Sequence, residues 1–453
     1  MRRFTQAKLM IGLTVPFALA LGTIALHVAD RFTKDGQVNG DAIGFLVTYW
    51  VVGLVLIALA FNFRRRWKEV LLLVTSLVMT WAVAEFALRL AEVPGAMRAF
   101  QGINSRLYHH LYPPNTAMHV GIVEGKAIVV KTNEDGLRTS YSRREFERFT
   151  NRIAVLGDSF TFGSLVRQEN VFPAVMEKVL RTRATRNDVA VLNAGVISYS
   201  PLLEERLYAG IVKHYAPTLV LLVLDATDIG DDVKYAGELR SKHGCSFFDV
   251  GNETTKQLGF HSAVGRLASV QVAALERFLR YPFDVIHTLM APQTEAVVAP
   301  PSHYNYYEYE IPVDGTIEHN RFFIYRHPLK HTQKYFMNTL TNINRLAEGV
   351  HAAGGHFVLV VTPRFHHWNA DECPANWEKD EYALNEPYQF EYFRFFDEAA
   401  TWTDYRIVNL LPAFRACGEF PLVLYDDPHW NERGHAFVGR TLAEYIVAEH
   451  LLQ

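Results

Sequence analysis

The chain has 453 residues, of which 49% are apolar, enough to bury a large core in addition to any membrane segment. Its 45 basic and 48 acidic residues give a formal net charge of −3, and no basic stripe with interleaved aromatic residues occurs beyond the first ninety residues. Composition and charge therefore exclude nucleic acid as an expected partner.

Three apolar stretches occupy the first ninety residues, at about 9–29, 43–61 and 70–90. Each is close to the ~20 residues that a helix needs to cross ~30 Å of hydrocarbon. A removable signal peptide would account for the first stretch but not for the other two. The N-terminus is therefore predicted to hold about three transmembrane helices and to contact the lipid bilayer.

Basic residues indicate the orientation of these helices. They lie before the first stretch and between the second and third (Arg2, Arg3, Lys8, Arg64, Arg65, Arg66, Lys68). By the positive-inside rule, residues after about 92 lie outside a bacterial inner membrane and face the periplasm or the cell exterior. The third stretch contains Glu85 and Arg89, which can pair on one helical face. If that stretch lies on the membrane surface instead, the large domain is cytoplasmic.

Residues 93–150 are interpreted as a connector between the membrane domain (1–92) and a large domain (151–453). Pro113, Pro114 and the turn-like residues 133–136 predict irregular chain with a short hairpin.

From residue 151 onward, short apolar runs alternate with helical patterns. The runs predict five strands, at residues 152–156, 189–192, 219–224, 357–361 and 407–408. The third run is apolar at all six positions, as expected for a strand that is covered on both faces of a parallel sheet. The alternation predicts right-handed βαβ crossovers and an α/β sandwich.

Residues 230–335 interrupt this alternation. They predict an inserted segment that either forms a lid or substrate wall above the sheet, or packs on the core, the membrane or a partner. The insertion includes a run of four tyrosines (Tyr304, Tyr306, Tyr307, Tyr309), which suit either stacking on sugar rings or anchoring a loop.

The cysteines and a histidine pair suggest further sites. Cys373 and Cys417 can form a disulfide in an oxidising compartment, although the sequence does not fix the pairing and Cys245 remains a third candidate. His366 and His367 follow a predicted strand, where they either bind a sugar or metal or form a polar loop without a role. The spacing of His and Cys matches no zinc site.

Ser159 directly follows the first predicted strand and precedes a helix. A strand-to-helix turn can expose its hydroxyl and offer backbone N–H groups beside it, but a serine there can also be a simple helix cap. His429 lies before the last predicted helix, preceded by Asp426 and Asp427. A carboxylate can hold the imidazole while its other nitrogen faces a hydroxyl. Both segments lie at the carboxyl edge of a doubly wound sheet and so can meet.

Residues 157–163, Gly-Asp-Ser-Phe-Thr-Phe-Gly, resemble the first sequence block of the SGNH/GDSL hydrolases, and residues 426–429 resemble their final Asp-x-x-His block. The resemblance covers about residues 130–228 and 335–450. It implies a flavodoxin-like three-layer sandwich, no metal or organic cofactor, and hydrolysis or transfer of ester-linked acyl groups through an acyl-serine.

The same resemblance assigns roles to the candidate site residues. Ser159 is the nucleophile, His429 is the base and then the acid, and Asp426 orients the histidine, with Asp427 as a close rival.

An oxyanion hole is implied as well, made by Ser159, a glycine N–H in the second block and an asparagine side chain in the third. Ser198 takes the glycine position and Thr227 the asparagine position. Ser198 can still donate its N–H, provided that the turn does not require a positive φ, which is costly for residues other than glycine. Thr227 offers a hydroxyl of shorter reach. Loss of one good donor typically lowers the rate by ~10² to 10³.

These features predict a serine esterase or acyl hydrolase that acts on O-acylated glycans or other envelope-associated esters, including lipids. One alternative is an O-acyltransferase that modifies an exported polysaccharide. The other is a catalytically silent glycan-binding or assembly protein with the same fold.

Overall fold

The computed structural model describes most of the chain beyond residue 97. The described residues are 98–100, 102–105, 107–123, 126–183, 188–240, 309–376, 378 and 386–452, together with 76, 79 and 83. The chain divides into two compact units, Met1–Ala84 and Glu85–Gln453, and the candidate site residues all belong to the second. The predicted transmembrane segments lie almost wholly outside the described residues. No helix within the described part is long and apolar enough to span a membrane.

The segment before the main sheet contains short strands. They are β1 (Arg98–Ala99), β2 (Ile103–Ser105), β3 (His109–Leu111), β4 (Ala117–Val123) and β5 (Lys126–Lys131), followed by helix α1 (Arg143–Phe146). β2 and β3 form one antiparallel hairpin and β4 and β5 another. Part of this segment packs into the core, since Tyr112, Met118 and Val130 are fully buried there. The residues interpreted as a connector thus form part of the wall of the large domain.

The rest of the described chain alternates strands and helices. In order, the elements are β6 (Asn151–Gly157), α2 (Ser159–Phe162), α3 (Phe172–Arg183), β7 (Val189–Asn193), α4 (Pro201–Gly210), β8 (Leu219–Leu224), α5 (Asp228–Glu238), β9 (Ile311–Val313), β10 (Thr316–Glu318), α6 (Leu329–Ala352), β11 (His356–Val361), α7 (Glu391–Ala399), β12 (Arg406–Asn409), α8 (Leu411–Ala416) and α9 (Glu432–Ala448).

Within the described part, five parallel strands form the central sheet in the order β7-β6-β8-β11-β12. This is the flavodoxin-like order, in which β7 is added on one side of β6 and all later strands of the sheet on the other side. All six side chains of β8 are buried, because helices cover both faces of the sheet. The predicted five strands and the α/β sandwich are therefore confirmed.

The helices form two layers because the chain winds in one direction from β6 to β7 and then in the opposite direction from β7 across β6 to β8 and β11. A right-handed crossover to β7 puts α3 on one face, and right-handed crossovers toward β11 put α4 and α6 on the other. In agreement, α3 packs against α9, and α6 packs against α4 and α5. The apolar stripe predicted for α6 is its buried face, with Phe336, Leu340 and Ile343 almost wholly shielded from solvent.

Two smaller predictions have a structural outcome. Cys373 and Cys417 are both free thiols, so the disulfide predicted between them does not form; Cys245 lies outside the described residues. Most of the predicted insertion, residues 241–308, also lies outside them. Tyr309, the last of the four tyrosines at 304–309, donates a short hydrogen bond to Asp231 and so anchors the returning chain.

Candidate active site

The turn from β6 into α2 presents Ser159. Gly157 has φ +151°, and a Cβ there would lie 2.9 Å from the Val223 carbonyl oxygen, so only glycine fits. Asp158 caps the helix, its Oδ1 accepting the Phe160 N–H at 2.8 Å. These constraints make Ser159 the first residue of α2, at the carboxyl edge of the sheet.

Arg138 holds the other end of this four-residue helix. Its guanidinium donates to the carbonyl oxygens of Phe162 at 2.7 Å, Gly163 at 2.6 Å and Val166 at 2.5 Å. Such a short helix leaves its carbonyls without internal partners, and a cation at a helix C-terminus is favourable. Arg138 is 1% exposed, so the segment before the sheet fixes the nucleophile turn from within the core.

A closed loop carries His429 to Ser159. An antiparallel bridge joins Val423 to Trp430, and Asn431 caps α9 by accepting the N–H groups of Arg433 and Gly434. The Trp430 ring packs edge-on against Phe160, the residue after the nucleophile. His429 Nε2 consequently lies 2.7 Å from Ser159 Oγ.

Asp427 is the carboxylate that orients His429. Its Oδ1 accepts a short hydrogen bond from the ring Nδ1 and a second one, at 2.9 Å, from the His429 backbone N–H. Because a carboxylate only accepts, Nδ1 carries the proton and Nε2 is left to receive the Ser159 hydroxyl. Asp426 is exposed. Its assignment as the orienting residue was wrong, because Asp427, two residues before the histidine, accepts both the ring N–H and the backbone N–H of His429.

The electrostatics of the site favour protonated His429 more than water does. Burial acts to lower the pKa of His429, but the charge and hydrogen bond of Asp427, with smaller contributions from Glu378 and Asp158, raise it above 6.5. Burial and the charge of Asp225 raise the pKa of Asp158 to about 7.

The raised pKa of His429 predicts the pH dependence of any reaction that uses Ser159. Only neutral His429 can accept the serine proton, so kcat/KM should fall as the pH drops through the raised pKa. We expect the acid limb to have its midpoint above pH 6.5, measured as initial rates of p-nitrophenyl acetate hydrolysis between pH 5 and 9. A midpoint clearly below pH 6.5 would contradict the pairing with Asp427.

Two backbone donors are available for an oxyanion. Val196 donates its N–H to the Gly157 carbonyl at 2.9 Å, so the chains after β6 and β7 run side by side. The N–H groups of Ser159 and Ser198 have no hydrogen-bond partner among the described residues. Ser198 has φ +59°. This is the left-handed conformation, which is costly for a residue other than glycine. The structure therefore keeps Ser198 as a candidate donor at a conformational cost.

Thr227 does not supply the third donor. Its hydroxyl donates to Asp225 Oδ2 at 2.6 Å, and its N–H donates to the same oxygen at 3.1 Å. Burial alone would raise the pKa of Asp225, but Arg364 and Thr227 lower it to about 2, so this acceptor is ionised. The prediction of Thr227 as an oxyanion donor was wrong, because its only hydroxyl proton is committed to a buried carboxylate.

A buried ionic network, which the sequence analysis did not predict, lies behind this edge of the sheet. Arg364 pairs with Asp225 at 2.8 Å and with Glu378 at 2.5 Å, and all three side chains are almost fully buried. Only the position of Arg364 just after a buried strand could have signalled it. His367 accepts the Arg364 N–H at 3.0 Å, and both it and His366 are buried. In the described part, no group of three or more His, Cys, Asp or Glu side chains is arranged to hold a metal ion.

No family model and no curated protein sequence matches the chain. Among solved structures, it is similar to a putative lipolytic protein of the G-D-S-L family from Desulfitobacterium hafniense, with 12% identity, 64% of this chain and 97% of the other covered, and a TM-score of 0.31. It is also similar to the psychrotrophic esterase EstA from Pseudoalteromonas sp., with 14% identity, 66% of this chain and 97% of the other covered, and a TM-score of 0.32. A third similar structure is a carbohydrate acetylesterase family member from Sinorhizobium meliloti, with 13% identity, 66% of this chain and 98% of the other covered, and a TM-score of 0.33. These similarities assign no activity to this chain.

Proposed function

We propose that the chain is a serine esterase of the SGNH/GDSL type, with Ser159, His429 and Asp427 as its catalytic triad. The observation that carries this proposal is the continuous hydrogen-bond chain from Ser159 Oγ through His429 to Asp427, next to two unpartnered N–H groups. A serine that merely capped the helix would not need a partly buried, carboxylate-paired histidine at its hydroxyl.

The reaction follows from the positions of these atoms. Ser159 Oγ attacks the ester carbonyl carbon as its proton passes to His429 Nε2, and the resulting oxyanion faces the N–H groups of Ser159 and Ser198. His429 then protonates the leaving alkoxide, which departs and leaves an acyl-serine. An incoming water gives its proton to His429 and attacks the acyl carbon. The proton returns to Ser159 as the carboxylic acid leaves.

The proposed substrates are O-acylated glycans or other esters of the cell envelope. Two features support this class. The charge pattern around the predicted N-terminal helices favours a site outside the inner membrane, where such esters occur. Tyr425, two residues before Asp427, is 71% exposed, and an exposed aromatic ring suits stacking on a sugar.

The purified full-length chain in detergent tests the proposal, with p-nitrophenyl acetate as acyl donor and an unacylated oligosaccharide as competing acceptor. We expect nitrophenol release that depends on Ser159, and acetate as the main product. Acetylated oligosaccharide as the main product would instead identify the transferase. Release no faster than that of Ser159→Ala would overturn the proposal and favour a silent binding protein.

The external location is a separate proposal that rests on the N-terminal charge pattern. An alkaline phosphatase fusion after residue 100 should be active in bacterial cells. An inactive phosphatase fusion, together with an active cytosolic reporter at the same position, would contradict it.

A further inference from the structure

The turn that presents Ser198 has a conformation that serine does not favour. Tyr199 N–H donates to the Val196 carbonyl at 3.1 Å, which closes a four-residue turn around Ile197 and Ser198. Of these two central residues, Ser198 alone has a positive φ, +59°, the pattern of a type II turn. Glycine is the usual residue at this position. Something outside the turn must therefore hold it.

The competing conformation would remove the oxyanion donor. A type I turn differs mainly by a flip of the central peptide, and it would give Ser198 a favourable negative φ. The Ile197 carbonyl and the Ser198 N–H belong to that one planar peptide and point in opposite directions. A flip would therefore point the Ser198 N–H to the opposite side of the turn, where it could not serve as the oxyanion donor.

His110 holds the Ile197 carbonyl. Its Nε2 lies 2.7 Å from the Ile197 oxygen, and the ring is wholly buried. Tyr112 Oη accepts the Ile197 N–H at 3.1 Å, and Tyr199 Oη lies 2.6 Å from the His110 carbonyl oxygen. Both sides of Ile197 are thus tied to β3 and the residue after it, outside the β6–β8 core.

Hydrogen-bond direction fixes the proton on His110. The Ile197 carbonyl can only accept, so His110 Nε2 carries the proton. Burial, together with the neighbouring His109 and Lys234, lowers the pKa of His110 to about 3, although the bond to Ile197 opposes this. The ring is therefore neutral, and its Nδ1 lies 2.8 Å from His109 Nδ1. On its other side, His109 Nε2 lies 2.5 Å from Glu238 Oε2.

We infer that His110 is a positioning residue of the oxyanion hole: its bond to the Ile197 carbonyl keeps the Ile197–Ser198 peptide oriented so that the Ser198 N–H can donate to the oxyanion. The inference rests on the proposed esterase function. It explains how a chain without glycine at this position keeps a backbone donor there.

The test compares His110→Leu alone with two double variants, using kcat and KM for p-nitrophenyl acetate with the full-length chain. His110→Leu should lower kcat about 100-fold, the typical loss of one oxyanion donor, and change KM by less than about threefold. Adding Ser198→Gly should raise kcat at least about tenfold above that of His110→Leu alone, because glycine favours the type II turn even without the histidine. Adding Ala216→Gly is the matched control, since Ala216 also has a positive φ but lies in another turn. It should restore nothing.

Three outcomes overturn the inference. They are a kcat of His110→Leu within threefold of the wild type, a failure of Ser198→Gly to restore kcat, and an equal recovery with Ala216→Gly. If His110→Leu does not fold, His110→Gln keeps a donor and should retain kcat within about fivefold; a larger loss that Ser198→Gly does not repair also overturns it. Equal rates for the wild type and Ser159→Ala would instead reject the esterase function itself.

Discussion

Ser159→Ala should lower kcat for p-nitrophenyl acetate by about 10⁴-fold or more, because the variant cannot form the acyl-serine. Its KM should change little, since the hydroxyl makes no bond that the ground state of the substrate needs. The residual rate would come from binding and from the oxyanion donors alone, which still act on a water. The measurement is the steady-state rate above the buffer blank, with intact-mass analysis for an acetylated intermediate in the wild type only.

Ser164→Ala is the matched control for this substitution. Ser164 lies just beyond the nucleophile helix, and its hydroxyl has no hydrogen-bond partner in the described part of the chain. Its removal should leave kcat within about twofold, because the surrounding structure loses no bond. If Ser159→Ala kept a tenth of the wild-type kcat, Ser159 would not be the nucleophile.

The sheet could be predicted from the sequence because its pattern is local. Strands buried on both faces need continuous apolar runs, so β6, β7, β8 and β11 appear as such runs, and only their ends shift by a residue. Ser159 and His429 could be predicted for a related reason. Each lies next to a strong element boundary, and topology alone brings these boundaries to one edge of the sheet.

The rest of the site depends on contacts that no sequence pattern encodes. Nothing in the sequence relates His110 to Ile197, because the two residues meet only through tertiary packing of β3. For the same reason the sequence does not show that the Thr227 hydroxyl donates to Asp225 and is therefore not free to donate to an oxyanion. The positive φ of Ser198 follows from how its turn is held, and a residue type alone does not set it.

The choice between the two adjacent aspartates predicts the second large effect. Asp427→Asn should lower kcat about 10⁴-fold, because an amide that donates to His429 Nδ1 would stabilise the tautomer that has its proton on Nε2. That tautomer cannot accept the Ser159 proton. Loss of the negative charge should also lower the pKa of His429 and move the acid limb of kcat/KM to lower pH.

Asp426→Asn removes an equal charge one residue away and is the control. Since Asp426 is exposed while Asp427 makes both bonds to His429, kcat for this variant should stay within about threefold and its acid limb should not move. The comparison needs pH profiles of kcat/KM for the wild type and both variants, at one ionic strength. A large loss in Asp426→Asn with Asp427→Asn unaffected would exchange the two roles. Equal small losses in both would mean that neither carboxylate is needed to orient His429, and the triad would reduce to a serine and a histidine.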